Sequence, residues 1–168
     1  NDLNVLGAVT SGTAATSLID SDGDGVGFGD TAVTDGLNIS MVDLASFTAD
    51  GLNIQSTGAI VVDNVSLPIS ITGTTALQSG SSIQFSNNAS TFPGLDAQAE
   101  DGIQVNVSVV TSSGDLLLIG DSDDAADTTD NITFVAGTSL NSAGSMTLQA
   151  TTGGMTAAGA LNLTANDG

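Results

Sequence analysis

The stretch Asp101-Gly102-Ile103-Gln104-Val105-Asn106-Val107 sets a turn pair before apolar and amide side chains in strict alternation. Successive side chains of an extended strand point to opposite faces. Ile103, Val105 and Val107 therefore share one face, and Gln104 and Asn106 the other. Related units lie on both sides of it. Asp35-Gly36 leads into Leu37-Asn38-Ile39-Ser40, Asp50-Gly51 into Leu52-Asn53-Ile54-Gln55, and Gly114-Asp115 into Leu116-Leu117-Leu118-Ile119. Further along come Asp130-Asn131-Ile132-Thr133-Phe134, Gly144-Ser145-Met146-Thr147-Leu148 and Gly159-Ala160-Leu161-Asn162-Leu163-Thr164. Leu37 to Leu52 and Met146 to Leu161 are both fifteen-residue steps, with more scattered spacings between them. Short strands of period two with regular turns predict an all-β chain. Helical spacing is absent, and Asp96 to Glu100 admits one turn at most.

Two all-β architectures suit such a chain. A β-solenoid stacks coil on coil around a narrow aliphatic interior, whereas a β-sandwich pairs antiparallel strands around a thicker core that usually holds large aromatics. Among 168 residues there are five Phe and no Trp or Tyr, which favours the solenoid. The expectation is one repetitive domain over residues 1–168, with short irregular coils and the β-sandwich as the alternative. Acidic loops expand it at about 19–35 and 120–131. Asn1-Asp2 runs straight into a strand and Asp167-Gly168 stops where another would start, with no polar cap at either place. Uncapped coils invite strand addition, so copies are expected to stack head to tail, or the chain to belong to a longer array.

Segments such as Asp2-Leu3-Asn4-Val5-Leu6-Gly7-Ala8-Val9-Thr10-Ser11-Gly12 and 144–159 resemble coils of the filamentous-haemagglutinin type, found in secreted adhesins and autotransporter-like surface proteins. The resemblance implies a right-handed parallel β-helix in an elongated, non-enzymatic surface protein. Coil length is more irregular here than in that pattern, and the two expanded loops are more acidic.

Charge narrows the function. The chain carries nineteen Asp and Glu against no Lys, Arg or His, a formal charge of −19. Binding nucleic acid or an anionic membrane requires basic side chains, so both are excluded as partners. Catalysis through His, Cys or Lys is excluded with them, as are thiolate and imidazole metal sites. No apolar run approaches the roughly 18 residues of a membrane span. Abundant Ser, Thr, Gly, Asn and Asp indicate an extracellular or cell-surface location. What remains as partners are hard cations, glycans, a surface receptor and other copies of the chain.

The sharpest local motif is Asp20-Ser21-Asp22-Gly23-Asp24-Gly25-Val26-Gly27-Phe28-Gly29-Asp30. Carboxylates at positions one, three and five with glycine at six let a short loop wrap oxygens around Ca²⁺. An EF-hand loop would place an acid at position twelve, where Thr31 stands and Asp30 lies one residue early. The stretch resembles the aspartate-rich loops of thrombospondin type 3 repeats. That resemblance implies Asp20, Asp22, Asp24, the Val26 carbonyl and Asp30 as ligands. A second run, 121–130, offers Asp121, Asp123 and Asp127 but lacks a turn-forming glycine.

Other features read more plainly. Glu100 and Asp101 are surface charge, and Asp43, Asp50 and Asp63 are turn or edge residues. Asn-x-Ser/Thr triplets at Asn38, Asn64, Asn88, Asn106, Asn131 and Asn162 are acceptors for glycans, or simply the outward face of alternating strands. The sequence thus predicts a calcium-stabilised structural or adhesive rod. The alternatives are a polysaccharide- or ice-binding solenoid and, last, a carboxylate-dependent glycosidase, for which no aromatic sugar platforms exist.

Overall fold

An alternating strand has an apolar face to bury and a row of backbone groups to pair; stacking like strands in register meets both needs. The computed structural model describes residues 2–68, 70–126 and 128–166. Its first strands are β1 (Val9–Thr10), β2 (Ala15–Asp20), β3 (Val26–Gly29) and β4 (Leu37–Ile39). One helical turn, α1 (Met41–Leu44), and β5 (Phe47–Thr48) follow, then β6 (Gly51–Ser56) and β7 (Ile60–Asp63). Next come β8 (Thr74–Ser79), β9 (Ile83–Phe85) and β10 (Ser90–Phe92), then β11 (Gly94–Ala99), β12 (Ile103–Val105) and β13 (Val109–Thr111). The last two sets are β14 (Leu116–Ile119), β15 (Ile132–Phe134), β16 (Thr138–Ser142), and β17 (Met146–Gln149), β18 (Met155–Ala157), β19 (Leu161–Ala165).

These strands form three main sheets. The first is ordered β17-β14-β11-β8-β6-β2, the second β18-β15-β12-β9-β7-β3-β4, and the third β10-β13-β16-β19. The pairings within them are parallel. From β8 onward the chain visits first, second and third sheet in turn, then returns to the first one strand further along. Parallel pairing sets aside the antiparallel sandwich alternative.

Register carries the packing. Val26, Ile60, Ile83, Ile103, Ile132 and Met155 stand in one column of the second sheet. Leu18, Ile54, Leu77, Ala97, Leu118 and Leu148 form another in the first. The interior is aliphatic, and all five phenylalanines lie in it, with Phe28 and Phe92 at a ring-centroid distance of 6.4 Å. Each fully buried Ile, Leu or Phe contributes about 1.5–3 kcal/mol. Outward positions carry amide ladders: Gln55 Nε2 donates to Gln78 Oε1 at 2.8 Å, and Gln84 Nε2 to Gln104 Oε1 at 3.1 Å.

Circuit length differs from the fifteen-residue spacing. Gln84 and Gln104 on successive strands are 20 residues apart, Gln55 and Gln78 are 23, and Ser17 and Asn53 are 36. Met146 and Leu161 lie in different sheets, as do Leu37 and Leu52; the fifteen-residue step measures passage between faces rather than a full turn. Residues 96–99 are strand, not helix, and the helical turn falls at Met41–Leu44 instead. There Ser40 and Asp43 cap each other, which assigns Asp43 a capping role rather than edge protection.

The two ends of the stack differ. Toward the end that carries β2 and β4, Leu44 and Phe47 from the excursion between β4 and β6 are buried in the core cluster, while Val42 beside them is exposed. At the other end, Met155 and Leu163 are each half exposed. No helix among the described residues is long and apolar enough to cross a membrane.

Candidate metal-binding loops

Both acidic loops occupy the same corner, the passage from the first sheet to the second. In intervening circuits that corner is three residues long, at 57–59, 80–82 and 100–102. Between β2 and β3 it grows to 21–25, and between β14 and β15 to 120–131.

In the first loop Asp20 ends β2 and is nearly buried. Its Oδ2 accepts from Ser56 Oγ at 2.7 Å and from the Gly25 amide at 3.3 Å. Ser56 Oγ in turn accepts from the Gly58 amide at 3.0 Å. Asp22 is exposed and accepts the Asp24 amide at 3.2 Å. A hydrogen bond with the Asp20 side chain, and after it that backbone amide, hold the Asp22 carboxyl below its usual value of 3.8. Two carboxyl groups in contact require a shared proton or a cation between them. Gly25 has a φ of +91°, and a Cβ there would stand 2.6 Å from the Ala59 carbonyl oxygen, so only glycine fits the turn.

The remaining ligands implied for this loop lie elsewhere. Val26 is buried in β3, registered between Leu37 and Ile60, and its amide donates to Ala59 O at 2.8 Å. Its backbone belongs to the sheet, paired on both sides. Asp30 follows β3 at the far corner, about 13 Å along the strand at 3.3 Å per residue, where Asn64 Nδ2 donates to its Oδ2 at 2.5 Å. The structure thus brings the Asp20 and Asp22 carboxyls together, joins Asp24 to them through its backbone amide, and sets Val26 in the sheet and Asp30 at the far corner.

The second loop is built differently. Asp121 is 1% exposed and Asp130 fully buried, while residues 122–126 between them are exposed. Thr152, from the next circuit, donates its amide to Asp121 Oδ2 at 2.6 Å and its hydroxyl to Asp130 Oδ2 at 2.7 Å. Asp121 Oδ1 is buried with no hydrogen-bond partner among the described residues. Asp123 is exposed and accepts the Ala125 amide at 3.1 Å; Asp127 lies outside the described residues. The missing glycine is replaced by Asp124, whose φ of +55° makes the left-handed turn that aspartate tolerates. Among the described residues no three acids form a ready-made metal cluster.

Sequence reading passed over Asp130, although the repeat offered a signal. Ile132 pairs with Ile103, which puts Asp130 level with Asp101; Ile119 pairs with Gln98, which puts Asp121 level with Glu100. The acidic pair Glu100-Asp101 of one circuit is thus split in the next by an eight-residue excursion. Asparagines of the glycan-type triplets also serve inside corners. Asn38 Oδ1 accepts the Val33 amide at 2.7 Å, Asn131 Oδ1 the Gly154 amide at 2.9 Å, and Asn88 donates to Asp63 at 3.1 Å. Asp63 itself is nearly buried among Asn87 and Asn88 donors, an internal anchor rather than an edge residue.

No family model matches this chain, and no curated protein or solved structure does.

Proposed function

We propose that this chain is a rod-forming segment of an extracellular structural or adhesive surface protein, a right-handed parallel β-helix of the filamentous-haemagglutinin kind, with Ca²⁺ held at its acidic corner loops. The observation that carries the reading is the register: the same apolar columns run from strand to strand through the stack. Such a stack grows by adding circuits, so its natural use is to span distance. Parallel crossovers are right-handed in about 98% of cases, which supports that hand for successive returns to the same sheet. The −19 charge supports cations as counter-ions, because no side chain of the chain supplies them. Electron microscopy of the purified chain with Ca²⁺ and with EDTA tests this. Rods or head-to-tail filaments are expected, with the melting temperature lowered in EDTA; round particles with a chelator-insensitive melt would refute it.

A second reading has one observation in its favour. An open groove of about 530 Å³ runs along the same corner, lined by Gln55, Gln78, Gln98, Ser79 and Glu100. Amides and hydroxyls at successive circuit heights suit an extended polysaccharide. Glycan-array binding abolished by Gln78→Ala would favour this use of the rod.

A further inference from the structure

From the geometry we infer that Asp121 and Asp130 form a buried calcium site that buckles the 120–131 excursion shut onto the following circuit. This deepens the calcium part of the proposed function and adds a ligand, Asp130, outside the spacing-derived set. Both carboxylates are at least 99% buried, in a chain without Lys, Arg or His. Thr152 holds one oxygen of each, the amide Asp121 and the hydroxyl Asp130, so both acids converge on one residue of the next circuit. It also brings in the Ala125 carbonyl, 3.4 Å from the Thr152 hydroxyl. The second oxygen of Asp121 is enclosed and accepts nothing among the described residues.

A buried carboxylate keeps its charge only beside a cation or a full set of donors. One shared proton neutralises one of the two acids and leaves the other charged. A calcium ion neutralises both and takes the enclosed Asp121 oxygen as a ligand. Ca²⁺ accepts six to eight oxygens in loose geometry, so two carboxylates, the Ala125 carbonyl and water suit it better than the strict octahedron of Mg²⁺. The exposed residues 122–126 then lie between two fixed ends. The loop's closure is set by the ion rather than by its own packing. Gly153 belongs to the same arrangement: a Cβ there would stand 2.1 Å from the Asp130 carbonyl oxygen, so glycine lets the next circuit approach.

The full chain, stripped with EDTA and dialysed, is titrated with Ca²⁺ alone by calorimetry. Wild type, Asp121→Asn, Asp130→Asn and Asp22→Asn are compared. The expected result is a binding event that weakens at least about tenfold in either of the first two variants and persists in Asp22→Asn. Hydrogen exchange on the wild type removes any dependence on the variants folding. Amides of 120–131 and of Thr152 should exchange more slowly in Ca²⁺ than in EDTA. No calcium binding, binding indifferent to both Asn variants, or no calcium-dependent protection at this corner would each overturn the site. Rods in micrographs without protection here defeat the site alone, whereas round particles with protection intact defeat the rod reading alone.

Discussion

The two acidic loops turn the same corner of the same stack, yet they handle their carboxylates in opposite ways. The first keeps Asp22 and Asp24 in water and satisfies its one buried acid, Asp20, with Ser56 and the Gly25 amide. The second leaves residues 122–126 in water and buries Asp121 and Asp130, with an oxygen of Asp121 accepting nothing among the described residues. Acid count therefore does not rank the loops as cation sites. What distinguishes them is whether protein donors already meet the buried oxygens.

The largest expected effect comes from breaking the second corner. Gly153→Ala places a methyl group against the Asp130 carbonyl and pushes Thr152 and the last circuit away from Asp121 and Asp130. Overpacking against backbone should cost about 3 kcal/mol, a fall of roughly 10 °C in melting temperature. A thermal melt within a degree or two of wild type would show that the corner gives way freely. The matching change at the first corner is Ser56→Ala, which removes the Asp20 donor and the acceptor of the Gly58 amide. Losing a buried hydrogen bond to a carboxylate should cost about 2 kcal/mol. Denaturant unfolding in Ca²⁺ and in EDTA measures it: an equal loss in both buffers marks protein groups alone as holding Asp20, and a larger loss in EDTA marks an ion at this corner.

How much of this was legible beforehand follows from what repetition encodes. Alternation gave the faces of 103–105 correctly, but the strand stops at Val105, so Asn106 and Val107 fall in the following bend; scarcity of aromatics pointed to a narrow interior. Circuit length was not legible, because β4 and β6, or β17 and β19, look alike in sequence while lying in different sheets. The EF-hand-like spacing around Asp20–Asp30 was misleading for a physical reason. That spacing brings ligands together only when the chain coils, and here Val26–Gly29 is extended within a sheet. Asp130 was readable only by aligning its strand under Asp101, since its importance lies in burial, which alternation does not report at corners.

A smaller test compares two enclosed oxygens. Thr75 Oγ1 sits in the core between Leu52 and Leu95 with no hydrogen-bond partner among the described residues, as Asp121 Oδ1 does at the corner. Thr75→Val removes a buried hydroxyl that nothing satisfies and should stabilise the fold by about 1 kcal/mol, with or without calcium. Asp121→Asn should cost more stability in saturating Ca²⁺ than in EDTA, because it removes a ligand only where the ion is bound. If both substitutions behave alike in the two buffers, the Asp121 oxygen is an ordinary packing defect.

The smallest effect reads the first loop alone, through pH. Asp22 has a folded value below 3.8, so its contribution to stability is present above pH 3.8 and lost as pH falls through the lower folded value. Its full exposure to solvent keeps that contribution small. Between about pH 5 and pH 2 the wild type should lose slightly more stability than Asp22→Asn, with the two melting curves converging at the acid end. Calcium separates the possible holders of the Asp20–Asp22 contact. An ion shared by those two carboxyls competes with protons and moves the wild-type loss to lower pH when Ca²⁺ is added. A shared proton leaves the Asp22-dependent part of the profile where it was, even while calcium stabilises the fold through the second corner.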